Sequence, residues 1–170
     1  MKSAFQIVFL FFIASLIFSG CQQSKPGSAE LIILQTSDIH GGIFPFDFVE
    51  NKETNHSLAS IHSYVTNVRQ QYADAVVLLD GGDYLQGQPT TYYYNFVDTV
   101  SPHLAARVMD FIGYDACAIG NHDVETGHPV YDRYRKQVKA PLLSANLINT
   151  KTGKPYFEPY AIIERKGIKI

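Results

Sequence analysis

The sequence predicts an α/β fold in which a mostly parallel sheet is layered against helices. Short apolar runs typical of buried strands alternate along the chain with stretches whose apolar residues recur at helical spacing. Three of the predicted strands are directly followed by polar segments that contain glycine and residues of types that often bind metal ions. Because the carboxyl ends of parallel strands line one edge of a sheet, these segments are expected to meet and form a site there.

The first predicted strand and helix lie between residues 31 and 72. Residues 31–36 form a short apolar run, which indicates a buried strand. Residues 37–55 contain glycine, proline and a polar stretch, and are predicted to be a loop. Residues 57–72 are predicted to be a helix whose apolar face consists of Leu58, Ile61, Val65 and Val68.

Two further strands enclose a second helix. Residues 75–80 and 115–119 are apolar runs that predict the second and third strands. Between them, Ser101 as the N-cap and Pro102 at the first helical position predict a helix that ends at Gly113. The residues expected on its inward face are Leu104, Val108, Phe111 and Ile112.

The last part of the sequence predicts a third helix and three more strands. The helix covers about residues 129–138, and a fourth strand covers residues 142–145. Residues 160–164 and 167–170 indicate two strands joined by a short turn. The second of these stops before a partner or cap follows. We therefore expect residues 31–170 to be the N-terminal part of a truncated domain.

The N-terminus has the pattern of a bacterial lipoprotein export signal. A lysine and an apolar run over residues 4–18 precede Cys21, with small residues directly before the cysteine. We expect residues 1–20 to be a signal peptide, Cys21 to carry lipid, and residues 21–30 to be a flexible tether. The protein would then be exported and anchored to a bacterial membrane, facing the periplasm or the cell surface. A plain signal peptide cut nearby and an uncleaved anchor are the alternatives.

Charge and cysteine content exclude some partners. The 14 basic and 16 acidic residues give a formal net charge of −2, and no basic run occurs. Binding to a nucleic-acid polymer is therefore not expected. If Cys21 carries lipid, Cys117 has no disulfide partner, and its apolar neighbours predict a buried thiol. The oligomeric state cannot be predicted from these features.

Asp38 and His40 follow the first predicted strand. Residues two apart in an extended chain point to the same side, so this carboxylate and imidazole could bind one cation. Gly41 and Gly42 come next and would let the backbone pass close to a ligand. An ordinary polar loop is the alternative interpretation of this pattern.

Asp83 follows the second predicted strand, after Gly81 and Gly82. A carboxylate at this position could reach forward and bridge two metal ions. Asp80, at the end of the strand, is the competing carboxylate, and it could instead orient a metal ligand from behind. A simple turn is the alternative interpretation.

The segment Gly120-Asn121-His122-Asp123 follows the third predicted strand and is the most specific of the three. Asn121 offers an amide oxygen as a metal ligand, and His122 could reach a phosphoryl oxygen or a leaving group. Carboxylate, amide and imidazole donors without a thiol suit ions of the Zn, Mn, Fe or Mg class.

In order and spacing, these segments resemble the first three signature segments of calcineurin-like metallophosphoesterases. The flanking residues 34–40, 83–89 and 143–146 are similar to the branch of bacterial 5'-nucleotidases and 2',3'-cyclic-nucleotide 2'-phosphodiesterase/3'-nucleotidases. The resemblance covers residues 31–170. It implies a layered metallophosphoesterase fold and a two-metal enzyme that hydrolyses a nucleotide or nucleoside cyclic phosphate outside the cytoplasm.

The resemblance also implies roles for individual residues. Asp38 and His40 would bind one divalent ion, Asp83 would bridge two ions, and Asn121 would bind the second. His122 would be the catalytic histidine.

Glu125 stands three positions after His122, where the nucleotidase branch often has an aspartate that holds the imidazole. The family completes its metal shell with later histidines, one of them in a Gly-His-x-His segment, which this sequence lacks. The isolated chain of 170 residues is therefore expected to be nearly inactive.

Other polar and aromatic residues are interpreted as structural. His56, His62, His103 and His128 are expected to be surface or capping residues. Residues 92–94, three consecutive tyrosines, are expected to pack beside the site loop rather than stack on a base.

Two other functions are also considered. The first is a hydrolase of the same superfamily that acts on a non-nucleotide ester, and the second is a surface lipoprotein that binds nucleotide or a partner without turnover. The candidate ligands favour an enzyme, because a binding module has no need of a bridging carboxylate.

Overall fold

A computed structural model describes residues 28–170. The expected signal peptide over residues 1–20, the expected lipid at Cys21 and most of the expected tether lie outside the described residues. Within the described part, no helix has the length and apolar character needed to cross a membrane.

The central feature is a four-stranded sheet in which all neighbouring strands run parallel. Its strands are Ile32–Thr36 (β1), Val76–Asp80 (β4), Ala116–Ala118 (β5) and Leu142–Leu143 (β6), in the spatial order β1-β4-β5-β6. Every residue of β1 pairs with one of β4, from Ile32 with Val76 to Thr36 with Asp80. The prediction of an α/β fold with a mostly parallel sheet is confirmed.

Three long helices connect these strands, as the sequence predicts. Leu58–Tyr72 (α1) lies between β1 and β4, Leu104–Ile112 (α3) between β4 and β5, and His128–Gln137 (α5) between β5 and β6. Ser57 caps α1, because its hydroxyl accepts a hydrogen bond from the amide of Ser60.

The core lies between the helices and β4, whose residues are mostly buried. Cys117 is a buried free thiol, as expected. The helices add apolar side chains that pack against the sheet, and the most deeply buried members of the core are Leu58, Val65, Leu78, Leu85, Met109 and Cys117.

The predicted start of α3 is wrong. His103, and not Ser101, is the N-cap, because its ring accepts a hydrogen bond from the amide of Ala105. Phe111 is also misplaced in the prediction, since it is 75% exposed while Met109 fills the core. The end at Gly113 is confirmed: Gly113 has a φ of 77°, a left-handed conformation that suits glycine.

Several short elements were not predicted. The expected loop over residues 37–55 contains an antiparallel pair, Phe46–Asp47 (β2) and Lys52–Glu53 (β3). The segment after β4 contains Pro89–Tyr92 (α2), which continues into a π-helical turn, Tyr93–Val97. A five-residue helix, Asn121–Glu125 (α4), follows β5.

The C-terminal pair of strands is confirmed, although it is shorter than expected. Glu164–Arg165 (β7) and Ile168–Lys169 (β8) pair in antiparallel fashion. Arg165 fixes this hairpin to the main sheet, because its guanidinium pairs with the carboxylate of Asp115 and donates to the carbonyl of Val76 at 3.2 Å.

Candidate active site

The three segments predicted to form a site do meet at the carboxyl edge of the sheet. They are the loops that follow β1 (the first loop), β4 (the second loop) and β5 (the third loop). Backbone hydrogen bonds join the first loop to the second. The amide of Asp38 donates to the carbonyl of Gly82 at 3.0 Å, and the amide of His40 donates to the carbonyl of Asp83 at 2.9 Å. The Gly82-Asp83 segment therefore fixes the loop that follows β1.

Three of the candidate ligands have a backbone conformation that is uncommon outside glycine. The φ angles are 55° for Asp38, 49° for His40 and 61° for Asp83. Asp38 and His40 are therefore not in an extended chain. The prediction that an extended backbone points their side chains to the same side is wrong. Their side chains nevertheless approach, with 3.9 Å between Oδ1 of Asp38 and Nε2 of His40. Such conformations persist where surrounding contacts hold them.

Two glycines let the second and third loops approach closely. A Cβ atom on Gly82 would lie 2.5 Å from the amide nitrogen of Gly120, and a Cβ atom on Gly120 would overlap the carboxylate of Asp83. The carboxylate of Asp83 uses this proximity, since it accepts a hydrogen bond from the amide of His122 at 2.9 Å. Glycine at both positions is therefore a steric requirement of the site.

His40, Asp83 and His122, one from each loop, form a compact group of possible metal ligands. Their ligand atoms all lie within 4.8 Å of one another, and the side chains are partly exposed. The two imidazole rings are 5.2 Å apart between centroids. Imidazole and carboxylate donors suit divalent transition-metal ions, so His40 and Asp83 fit the expected cofactor, and His122 stands directly beside them.

Asp38 and Asn121 border this group. Asp38 is held by the hydroxyl of Ser37, which donates to its carboxylate, and its side chain is 64% exposed. Asn121 is the exposed first residue of α4, directly before His122. The fold thus places these two residues at the same edge of the sheet as His40, Asp83 and His122, and the five are metal-site or catalytic candidates.

Glu125 lies where the sequence predicted, beside His122. Its Oε2 is 3.0 Å from Nδ1 of His122, and the amide of Gln86 approaches the same oxygen at 3.4 Å. The hydrogen bond that the ring donates to the Glu125 carboxylate is the main reason why the pKa of His122 is raised. The same bond is the main reason why the pKa of Glu125 is lowered.

Asp80 lies behind the site. Its side chain is buried. The carboxylate accepts a hydrogen bond from the hydroxyl of Thr36 at 2.5 Å and another from the amide of Gly82 at 2.9 Å. Burial raises its pKa to about 6, although these two hydrogen bonds act in the opposite direction. It supports the backbone that carries Asp83, which agrees with the supporting role considered for it.

Asp123 has a structural role that sequence reasoning missed. It is buried, and its carboxylate accepts hydrogen bonds from backbone amides of both the second and the third loop. An acidic residue three positions after the N-cap Gly120 is a signal of a helix start, and it would have indicated α4.

The four remaining histidines lie outside the group of ligands. His103 is the buried cap of α3, so it is a capping residue as expected. His62 packs against Phe111 with 4.9 Å between ring centroids, and His128 lies 3.2 Å from the carboxylate of Asp132.

Residues 92–94 lie on α2 and the π-helical turn beside the second loop. Tyr92 and Tyr93 are exposed, and Tyr92 packs against Phe96 with 5.1 Å between ring centroids.

A cavity of about 410 Å³ lies elsewhere, between α5 and residues 147–157. Its walls include Tyr131, Tyr156 and Phe157, and of the α4 residues it touches Val124. None of the candidate metal ligands lines it. The possible metal ligands and the perturbed pKa values of His122 and Glu125 are instead found at the sheet edge.

Comparison with known protein families gives one match over nearly all of the described part. The family model described as "Calcineurin-like phosphoesterase" matches residues 31–170. The solved structure of the calcineurin-like phosphoesterase YfkN from Bacillus subtilis is similar, with a TM-score of 0.70 and 30% identity. That likeness covers 82% of this chain and 45% of the YfkN chain.

Curated relatives have the names of nucleotidases. The 2',3'-cyclic-nucleotide 2'-phosphodiesterase/3'-nucleotidase of Yersinia enterocolitica is 32% identical over 155 residues, which are 89% of this chain and 24% of that protein. A 5'-nucleotidase of Vibrio parahaemolyticus is 33% identical over 165 residues, which are 93% of this chain and 28% of that protein. The chain thus spans about a quarter of the length of these relatives.

Proposed function

Because this chain belongs to the calcineurin-like phosphoesterase family, we propose that it carries the first metal-binding loops of an enzyme that hydrolyses nucleotide phosphate esters. The substrates would be 5'-nucleotides, 3'-nucleotides or 2',3'-cyclic nucleotides. Relatives of similar sequence carry the names of enzymes of these classes.

The convergence of three separate loops is the observation that carries this proposal. His40, Asp83 and His122 follow three different strands, yet their ligand atoms lie within 4.8 Å of one another. The loops are joined by hydrogen bonds and permit little adjustment at Gly82 and Gly120. Such a preorganised set of donors suits metal-assisted hydrolysis.

Two divalent ions of the Zn, Mn, Fe or Mg class would be held by Asp38, His40, Asp83 and Asn121, with Asp83 shared between them. When bound, such ions supply an activated water molecule and stabilise charge on phosphoryl oxygens. The chain's own contribution is to fix the donors before the metal arrives. The carbonyls of Gly82 and Asp83 do this by holding the loop that carries Asp38 and His40.

His122 would act on the substrate rather than on a metal ion. Its Nδ1 faces the Glu125 carboxylate, which leaves Nε2 free to face the phosphate group. Glu125 raises the pKa of the ring, so the ring holds a proton more readily at neutral pH. A protonated Nε2 can donate to a phosphoryl oxygen or to the departing ester oxygen.

The test is to assay the purified full-length protein with Mn²⁺ or Zn²⁺ against 2',3'-cyclic AMP, 3'-AMP, 5'-AMP and p-nitrophenyl phosphate. Hydrolysis of at least one nucleotide, abolished by a chelator and restored by metal, is the expected result. Activity on p-nitrophenyl phosphate alone would indicate a non-nucleotide ester as substrate. Metal-dependent nucleotide binding without turnover would contradict an enzymatic function.

We also infer that the protein is exported and held to a membrane by lipid on Cys21. The support is the order of charged, apolar and small residues before that cysteine. Metabolic labelling with a radioactive fatty acid should mark the wild-type protein and not the Cys21→Ser variant. Equal labelling of both, or labelling of neither, would contradict the assignment.

A further inference from the structure

The carboxylate of Asp123 joins the two loops that carry Asp83 and His122. One oxygen, Oδ2, accepts from the amides of Asp83 at 2.8 Å and Gly120 at 2.9 Å. The other, Oδ1, accepts from the amides of Tyr84 at 2.8 Å and Leu85 at 2.7 Å. Four backbone donors thus converge on one side chain that is 2% exposed.

These four bonds act on a segment that needs support. Asp83 has a φ of 61°, which is unfavourable for a residue with a side chain. The amide of Asp83 donates to Asp123, its carbonyl accepts from His40, and its carboxylate accepts from His122. The backbone around Asp83 is therefore held by both neighbouring loops, and Asp123 accepts the hydrogen bonds from the amides of residues 83–85.

Only a carboxylate meets this requirement. Each oxygen accepts two hydrogen bonds. All four donors are backbone N–H groups, which cannot act as acceptors. An asparagine has the same shape, but its NH₂ group would face two N–H groups. One pair of amides would lose its acceptor, and buried unpaired donors are costly.

We propose that Asp123 is a positioning residue that holds Asp83 and the Gly120-Asn121-His122 segment in the geometry needed for metal binding. Both of its oxygens already accept two backbone hydrogen bonds each, so Asp123 acts through these loops and not as a ligand. The inference rests on the proposed function for its consequence in metal binding, but its structural basis can be measured on the metal-free protein.

The first test is amide hydrogen exchange of the metal-free full-length protein, with Asp123→Asn compared with wild type. The amides of one pair, either Asp83 and Gly120 or Tyr84 and Leu85, should exchange at least tenfold faster in the variant, while amides of the central sheet stay protected. Unchanged exchange of all four amides would overturn the proposal, whether or not the protein is an enzyme.

The second test measures the affinity and the visible absorption spectrum of bound Co²⁺, which serves as a spectroscopic probe of the metal site. In Asp123→Asn, Co²⁺ should bind at least tenfold more weakly and show an altered visible absorption spectrum, as is typical when support behind a metal ligand is lost. Asp123→Glu keeps acceptors on both oxygens, so it should bind Co²⁺ more tightly than Asp123→Asn. Wild-type affinity and spectrum in Asp123→Asn would overturn the positioning role.

Asp115→Asn is the matched control. Asp115 is also a largely buried carboxylate, and it accepts a hydrogen bond from the amide of Leu78 at 2.9 Å. Unlike Asp123, it pairs with Arg165 and so holds the β7–β8 hairpin to the sheet. This variant should lower the unfolding temperature and leave the Co²⁺ spectrum unchanged. A spectrum altered equally in both variants would mean that Asp123 acts only through stability. Absence of Co²⁺ binding by wild type would instead contradict the proposed function.

Discussion

At the scale of single residues, the candidate site depends on backbone conformations that hydrogen bonds from distant parts of the chain hold in place. The sequence indicates that Asp38, His40, Asp83 and His122 meet, because each follows a strand of one parallel sheet. The left-handed conformation of Asp83 results from hydrogen bonds to residues about 40 positions away, including Asp123. No local pattern encodes such bonds.

The proposed role of His122 predicts a specific pattern of kinetic loss. His122→Asn should keep both metal ions and lower kcat by roughly 10²–10⁴-fold, because a positioned proton donor is lost. The loss should be smaller for p-nitrophenyl esters, whose leaving group needs less protonation. Glu125→Gln should give a weaker form of the same defect, since Glu125 supports the imidazole.

Steady-state kinetics combined with metal analysis checks this prediction. Equal losses for good and poor leaving groups would indicate electrostatic stabilisation by His122 rather than proton donation. Loss of a metal ion in His122→Asn would show that the imidazole is itself a ligand, which its distance to His40 and Asp83 would allow.

His103 should make the stability of the fold depend on pH. Its Nδ1 accepts from the amide of Ala105, so the neutral ring carries its proton on Nε2, which lies 2.8 Å from the side-chain oxygen Oδ1 of Asn95. Burial lowers the pKa of His103 from 6.5 to about 4. The unfolded chain therefore binds a proton more readily between these values. Stability is fully present above pH 6.5 and is lost as the pH falls toward 4, by up to about 3 kcal/mol.

Denaturant unfolding at several pH values tests this expectation. His103→Asn keeps a capping oxygen for α3 but has no titratable ring, so its stability should fall less than that of wild type between pH 6.5 and 4. It should be less stable than wild type at pH 7, because the bond to Asn95 is lost. Parallel pH curves for the two proteins would contradict the assignment.

At the scale of elements, the hydrophobic pattern decided what could be predicted. The long helices have apolar residues at helical spacing and the four main strands lie in continuous apolar runs, so the sequence predicts them within a few residues of their observed bounds. The elements β2, β3, α2, the π-helical turn and α4 lack a sustained apolar pattern. Contacts with the rest of the fold stabilise them, so periodicity could not identify them.

The close approach of two loops predicts that Gly120→Ala disrupts the site by steric overlap alone. Gly120 has a φ of −88°, which any residue can adopt, so no conformational cost is expected. The added Cβ atom would overlap the carboxylate of Asp83 and displace it. Metal affinity and kcat/KM should each fall by roughly 10²-fold, since a displacement of about 1 Å has that effect.

Gly153→Ala is the control for this variant. Gly153 has a φ of 68° and no atom within 4 Å of an added Cβ. It should lose about 1 kcal/mol of stability through backbone strain and keep wild-type metal binding. Calorimetric titration with Mn²⁺ measures both variants. Wild-type Mn²⁺ affinity in Gly120→Ala would show that the loops have more freedom than their contacts indicate.

At the scale of the whole molecule, topology explains why residues so distant in sequence act together. The strand order β1-β4-β5-β6 places the ends of β1, β4 and β5 side by side, and these ends carry the three loops. The alternation of strands and helices in the sequence predicts that the carboxyl ends of the strands lie along one edge of the sheet. The order of the strands and the hydrogen bonds that lock the loops required the structure, because they depend on how connections pack across the sheet.

The most direct test of the account is the metal content of Asp83→Asn in the full-length protein, compared with wild type and with Asp132→Asn, a carboxylate variant on α5 outside the site. Because Asp83 is proposed to serve both ions, its loss should lower occupancy at both positions and reduce nucleotide hydrolysis by at least about 10²-fold. Wild type and Asp132→Asn should each retain two ions per chain and comparable activity. Two tightly bound ions in Asp83→Asn would contradict the bridging role of Asp83, and with it the proposed arrangement of metal ligands.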